Sequence, residues 1–209
     1  MVKRATKKER GKATRKRRKV IIIAVEGKNR TERNYFNEFN RDQKEYKILF
    51  AKGNETDPVG IVRNAINSSA SEELDYKSGD LCFCVFDTDF QKEDQLRKAA
   101  SLANKNGIRV LLSNPCVEVW FLLHYRYSNK GYQSNSEVLD ELKSYEASYS
   151  KNMSSFVWLR DKTGTGLTNA AKLERYAIQT EGNFDVIHQN SSTELHYLVG
   201  LLQDCVTSL

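Results

Sequence analysis

The chain has no CxxC pair, no apolar run near the ~18 residues that cross a bilayer, and only three histidines, His124, His188 and His196. Each absence excludes something. The four cysteines, Cys82, Cys84, Cys116 and Cys205, and the scattered histidines lack metal-ligand spacing. A zinc site is therefore not expected, and the thiols read as reduced core residues. Without a spanning segment no membrane partner is expected. The basic N-terminus also lacks the apolar stretch of a secretory signal. The cytoplasm is the expected location.

What is present is a soluble globular composition, 39% hydrophobic and 29% charged, in 209 residues. That length holds one domain, or one domain with a smaller appendage. The net charge of +6 hides an asymmetry. Residues 1–19 hold eleven Lys or Arg and one acid, Glu9, a net +10; the remainder holds 22 basic and 26 acidic residues, a net −4. A charge run of this kind is a solvated, disordered tail. It can also contact RNA or DNA phosphates through residues such as Arg15, Arg17, Arg18 and Lys19, drawn by counterion release. It supplies no sequence specificity.

The tail gives way at Val20 to a β-branched run ending at Val25-Glu26-Gly27. Such a run predicts a strand buried on both faces, hence a central parallel strand. Thr31 opens a helical pattern with Tyr35, Phe36 and Phe39 on one side. Tyr46 to Ala51 reads as a second strand. Asp57-Pro58 is a helix start, because Asp caps free amides and Pro fits the first turn. Leu81 to Phe86 is a third strand and ends in Asp87-Thr88-Asp89. A helix over 91–106 stops at Gly107 in a left-handed conformation. Ile108 to Leu112 is a fourth strand, and Asn114-Pro115 leads into an apolar helix over 116–125. Beyond residue 125 helices are expected over 136–145, 168–180 and 192–206, the last from a capping box at Ser191-Ser192-Thr193-Glu194. Gly164-Thr165-Gly166 reads as a flexible turn, since it lacks the lysine and the preceding strand of a P-loop. The expected architecture is an α/β core over 20–125, with four parallel strands flanked by helices. A basic tail over 1–19 precedes it, and a mainly helical extension over 126–209 packs on it.

In an open parallel sheet, ligands bind beyond the carboxyl ends of the strands. Glu26 ends strand one; Asp87 and Asp89 end strand three. If those strands are neighbours, three carboxylates converge. They repel one another unless a cation sits among them. Oxygen ligands alone select a hard ion, so Mg²⁺ or Mn²⁺ is the expected cofactor. An extended chain across Thr88 keeps both aspartates on one side. Glu118, in the first turn of its helix, suits the helix dipole and also lies close enough to strand four to reach the same crevice. Lys28 and Arg30, at a helix start after strand one, are candidate phosphate contacts.

Three blocks carry a resemblance. Val25-Glu26-Gly27 with Thr31-Glu32 and Tyr35-Phe36 resembles the opening motif of the RloB family. Asn114-Pro115-Cys116-Val117-Glu118-Val119-Trp120, running on to His124-Tyr125, is similar to that family's most distinctive block. Asn190-Ser191-Ser192-Thr193 with His196 resembles its C-terminal signature, with Ser191 where a proline is usual. Val85 to Asp89 resembles the D-x-D motif of Toprim domains. The resemblance implies a Toprim-type core and a metal-dependent nuclease of bacterial anti-phage defence. Its substrate would be RNA, with tRNA among the candidates, or DNA, and partner proteins of a defence system could attend it. Glu26 would act as general acid or base, and Asp87 and Asp89 would hold Mg²⁺. Asn114 and His196 are weaker candidates that rest on the blocks alone. His124 lies on an otherwise apolar helix, where most histidines are satisfied core residues. The competing function is a non-catalytic nucleic-acid-binding or regulatory subunit with a structural metal.

Overall fold

The computed structural model describes residues 17–27, 30–41, 43–88, 93–153 and 156–207, with backbone alone at 156 and 205–207. One sheet runs through it in the order β2–β1–β3–β4–β5. The strands are β1 (Lys19–Ala24), β2 (Tyr46–Phe50), β3 (Leu81–Asp87), β4 (Arg109–Asn114) and β5 (Ser192–Thr193). The first four are mutually parallel. The fifth, antiparallel to β4, was not expected. Ser192 and Thr193, read from sequence as helix cap, instead pair with Asn114 and Ser113. The Ser113 and Thr193 hydroxyls meet at 2.8 Å. Thr193 Oγ1 still accepts from the amide of Leu195 at 3.2 Å, where the last helix begins.

The helices are α1 (Thr31–Asn37), α2 (Pro58–Ser71), α3 (Glu93–Lys105), α4 (Glu118–Leu123), α5 (Asn135–Tyr145), α6 (Phe156–Leu159), α7 (Thr163–Glu181) and α8 (Leu195–Thr207). Local signals place several of their ends. Asp57 Oδ1 accepts from the amide of Gly60 at 2.8 Å, with Pro58 in the first turn; such a cap contributes about 1 kcal/mol. Gly107 sits at φ +68° just past α3. Gly164-Thr165-Gly166 is not a turn but the first turn of α7. A Cβ on Gly166 would lie 2.9 Å from the His124 ring, so the glycine lets α7 approach α4.

The pleat sorts the core into two clusters. Ile21, Ile23, Phe83, Val85 and Leu111 face α1, α4, α5, α7 and α8. Ile22, Ala24, Cys82, Cys84, Phe86 and Leu112 face α2 and α3. Alternation with a period of two puts neighbours in a strand on opposite faces, which is why β1 after Lys19 and β3 before Asp87 are apolar throughout. Fully burying each such side chain is worth about 1.5–3 kcal/mol. Residues after 125, including Val138, Leu142, Leu173 and Leu198, share the first cluster with β1 and β3. Among the described residues no helix is long and apolar enough to cross a membrane.

Candidate functional site

β1 and β3 are adjacent, with Ala24 opposite Cys84, and β3 lies beside β4, with Asp87 opposite Ser113. Asp87 is the last residue of β3. The ladder runs one residue further, because the Thr88 amide donates to the Ser113 carbonyl at 2.9 Å. Asp87 has the parity of Phe83 and Val85, which belong to the α1/α4 side. Glu118 opens α4 and Glu32 lies in the first turn of α1, so the same edge receives a carboxylate from each helix. Glu26 stands two residues past the end of β1 with the opposite parity and is partly buried.

These acids are buried far more than surface carboxylates. Glu118 is 1% exposed and Glu32 is 2% exposed. Glu118 Oε1 accepts from the Tyr149 hydroxyl at 2.7 Å. Glu118 Oε2 is buried and has no hydrogen-bond partner among the described residues. Burial pushes the Glu32 carboxyl up to about 7, and the charges of Glu118 and then Glu26 add to the rise. A backbone hydrogen bond and the ammonium of Lys151 oppose it. Burial first, then the charges of Glu118 and Asp87, also hold the Cys116 thiol well above its usual range; a thiol in that state is inert. Burial of its stem pulls Lys151 down, but Glu118, Cys116, Asp87 and Glu32 together leave it above its ordinary value.

Two backbone contacts hold the edge together. A Cβ on Gly27 would lie 2.6 Å from Asn54 Cα, and the Gly27 amide donates to the Glu55 carbonyl at 3.1 Å. Only glycine lets the loop after β1 cross the loop after β2 so closely. Residues 149–152 strap the other side. The Asn152 amide donates to Thr31 Oγ1 at 3.1 Å, and Asn152 Oδ1 accepts from the Arg30 amide at 3.0 Å. Asn34 donates to the Asn152 carbonyl.

Compared with known protein families, residues 21–202 match the family described as RloB-like protein. The chain belongs to the RloB-like protein family. No curated protein and no solved structure matches it.

Of the residues singled out from the RloB-like sequence, Asp89, Lys28 and Arg15 lie outside the described residues. Glu26, Asp87 and Glu118 come to the carboxyl edge. Arg17, Arg18 and Lys19 go to the opposite end of the sheet, where β1 begins, and are exposed there. Arg17 is spent on Asp80, which it grips with two bonds of 2.9 and 2.7 Å, and Arg18 donates to the Gln43 carbonyl. Arg30 is exposed beside the Asn152 strap. Asn114 is buried; its amide nitrogen donates to the carbonyls of Val186 and Ile187, while its Oδ1 has no hydrogen-bond partner among the described residues. His124 is a core residue: its ring packs edge-on against Trp120, Nδ1 lies 2.9 Å from the Trp120 carbonyl, and burial lowers it to about 4. His196 bridges the Thr193 carbonyl and Glu174 at 3.1 Å each, between α7 and α8. Sequence reasoning missed Glu32, Tyr149 and Lys151. Glu32 stood inside a quoted motif; the other two carried no local signal.

The donor set fits a hard divalent ion in kind. It is all carboxylate, and the Glu118 oxygen is buried without a hydrogen bond. Yet no three His, Cys, Asp or Glu side chains among the described residues form a group that could hold a metal. The two facts are compatible for Mg²⁺, which usually keeps several waters and takes one or two carboxylates together with substrate phosphates. Asp87, Glu118 and Glu32 are the described groups that could contribute.

Proposed function

We propose that this RloB-like protein is a Mg²⁺- or Mn²⁺-dependent nuclease of Toprim type, hydrolysing phosphodiester bonds of RNA, including tRNA, or of DNA. It would act in the cytoplasm in anti-phage defence alongside partner proteins. The observation that carries this reading is the gathering of Asp87, Glu118 and Glu32 at the carboxyl edge of a parallel sheet, where α/β proteins bind their ligands. Glu32, a buried acid raised to about 7 beside Glu118 and Glu26, adds support, since perturbed acids in a cleft are candidates for function.

Asp87 and Glu118, with Asp89, are the residues that would hold the ion. When bound, such an ion neutralises charge on a phosphoryl transition state and lowers the pKa of a coordinated water. Glu26, partly open to solvent at the end of β1, takes the general acid–base role that the Toprim resemblance implies. A carboxylate within reach of the reacting oxygen can move a proton there. Glu32 is buried, and the charge of Glu26 adds to the rise of its carboxyl. The Tyr149 hydroxyl fixes one oxygen of Glu118, and the other is buried without a hydrogen-bond partner among the described residues.

The test incubates purified protein with pooled tRNA, total RNA and plasmid, with and without Mg²⁺ or Mn²⁺. Cleavage of one substrate that needs metal and disappears in Asp87→Ala, while that variant melts as wild type does, supports the reading. Cleavage by Asp87→Ala at the wild-type rate removes it. Metal uptake with no cleavage of any substrate favours the non-catalytic subunit with a structural metal. In cells the same variant is expected to lose any restriction of phage plating.

A further inference from the structure

We propose that Lys151 is the substrate-phosphate clamp of this site, held over the carboxylates by the strap of residues 149–152. The inference rests on the nuclease reading and adds to it a residue and a role.

The strap is anchored on both sides of Lys151, and each anchor touches an element that carries a site carboxylate. On one side Tyr149 is buried to 3% exposure, and its hydroxyl is bonded to Glu118 at 2.7 Å. On the other, Asn152 takes a left-handed turn at φ +71° and bonds to Thr31 Oγ1 and the Arg30 amide at the start of α1. Glu32 is the next residue of that helix. Lys151 therefore spans the gap between α4 and α1. Its charge acts on Glu118, Asp87 and Glu32 together.

The ammonium nevertheless forms no ion pair within 4 Å and no side-chain hydrogen bond among the described residues, and the side chain is exposed. A lysine that served only to pair with a buried acid would be drawn onto one carboxylate and desolvated there. Lys151 instead remains exposed, between the Tyr149 bond to Glu118 and the Asn152 bond to Thr31. Its four-carbon stem and compact charge suit a phosphate that arrives from solvent. The need for it is electrostatic. A cluster of buried carboxylates repels a phosphodiester, and a divalent ion held by them offsets only part of that charge. A cation fixed at the rim supplies the rest and orients the incoming phosphate.

The probe is inorganic phosphate, read by the ³¹P relaxation that protein-bound Mn²⁺ induces in it. Only phosphate held close to the ion is relaxed, so binding elsewhere on the chain does not contribute. Full-length wild type, Lys151→Ala, Lys151→Arg and Asp87→Asn are compared, with Mn²⁺ uptake titrated separately in each. Lys151→Ala is expected to weaken phosphate binding about tenfold, the range of one charge-assisted hydrogen bond. It should leave Mn²⁺ uptake intact or tighter, because a competing cation is gone. Lys151→Arg is expected to restore most of the phosphate affinity, and in cleavage Lys151→Ala should raise KM more than it lowers kcat. Unchanged phosphate affinity in Lys151→Ala with normal Mn²⁺ uptake overturns the clamp and leaves the metal reading standing. Absence of Mn²⁺ uptake in wild type overturns both. Because Lys151 is exposed, both Lys151 variants should melt within a few degrees of wild type.

Discussion

Tyr149 reaches back 31 residues to donate its hydroxyl to Glu118 Oε1 at 2.7 Å. The bond ties a polar stretch with little pattern of its own to the first residue of α4. It also fixes how Glu118 presents itself: one oxygen is satisfied by the phenol, and the other is left buried without a partner among the described residues. The same segment then crosses to α1 through Asn152. The site is thus assembled by chain segments far apart in sequence, and its tuning depends on that strap.

Removing the phenol should therefore cost more than a surface hydrogen bond. Tyr149→Phe leaves Glu118 Oε1 buried and unsatisfied, and a loss of about 1–3 kcal/mol is expected. In urea denaturation the Tyr149→Phe and Glu118→Gln effects should be non-additive, as for residues in contact. Strict additivity would mean that the two side chains do not communicate.

A second expectation concerns pH. Burial raises the carboxyls of both Glu32 and Glu194 to about 7. Between their ordinary value near 4.5 and about 7, the folded chain retains protons that the unfolded chain has released. Their contribution is therefore fully present below about pH 4.5 and is lost as pH rises through 7. Melting temperature should fall across that window. Glu32→Gln and Glu194→Gln should each flatten part of the fall, which buried His124, held down at about 4, opposes over the lower part of the window. Millimolar Mg²⁺ should flatten the Glu32 part alone, by favouring its ionised form. A melting temperature that rises from pH 4.5 to 7 in wild type and is untouched by either substitution would contradict this electrostatic account.

At the far end of the sheet, Asp80 behaves oppositely. Its carboxylate is buried and accepts two bonds from Arg17, one from the Val20 amide and one from the Asp75 amide. The Arg17 guanidinium first, helped by those amides, holds it down at about 2. The stabilisation it gives is present above its unfolded value and disappears as pH falls through about 2. Asp80→Ala is expected to cost about 3 kcal/mol or more, since it strands a guanidinium and two amides at once. Arg17→Ala should cost less, because Arg17 is half-exposed. Equal losses in chemical denaturation would show that the amides contribute nothing.

That latch also redraws the basic segment. Arg17, Arg18 and Lys19 belong to the folded body, so deletion of residues 1–16 is the clean cut. The shortened chain should melt as wild type does. Its nucleic-acid binding should lose salt dependence, by roughly 0.7–0.9 in the log–log slope for each phosphate contact removed. A slope identical to that of the full chain would show that those residues make no such contacts.

Much of this fold could be read from the residues, for local reasons. Apolar runs gave β1, β3 and β4, and Asp57-Pro58 gave the start of α2. The Glu26 and Asp87 strand ends stood out because each follows a run with no polar residue. What escaped was decided by distant partners. β5 is two residues long and exists because β4 pairs with it. The glycines at 164 and 166 argue against a helix by propensity, and the reason for Gly166, the close approach to His124, is invisible from that residue alone. Glu32 looks like an ordinary acid in a first helical turn. It is buried where α1 begins, beside Thr31, which is bonded to Asn152, 121 residues further on. Arg17 looked like tail because Asp80 lies 63 residues away.

The central claim is that carboxylates at the ends of β1 and β3 and the start of α4 can hold one hard cation. The most direct measurement is anomalous diffraction from crystals grown with Mn²⁺. The account predicts a peak beyond the carboxyl ends of those strands, within about 2.0–2.5 Å of a carboxylate oxygen of Asp87 and of at least one further acid among Glu118, Glu32, Glu26 and Asp89. A crystal of the folded chain with saturating Mn²⁺ and no peak at that edge, or with its ion bound elsewhere, would contradict it.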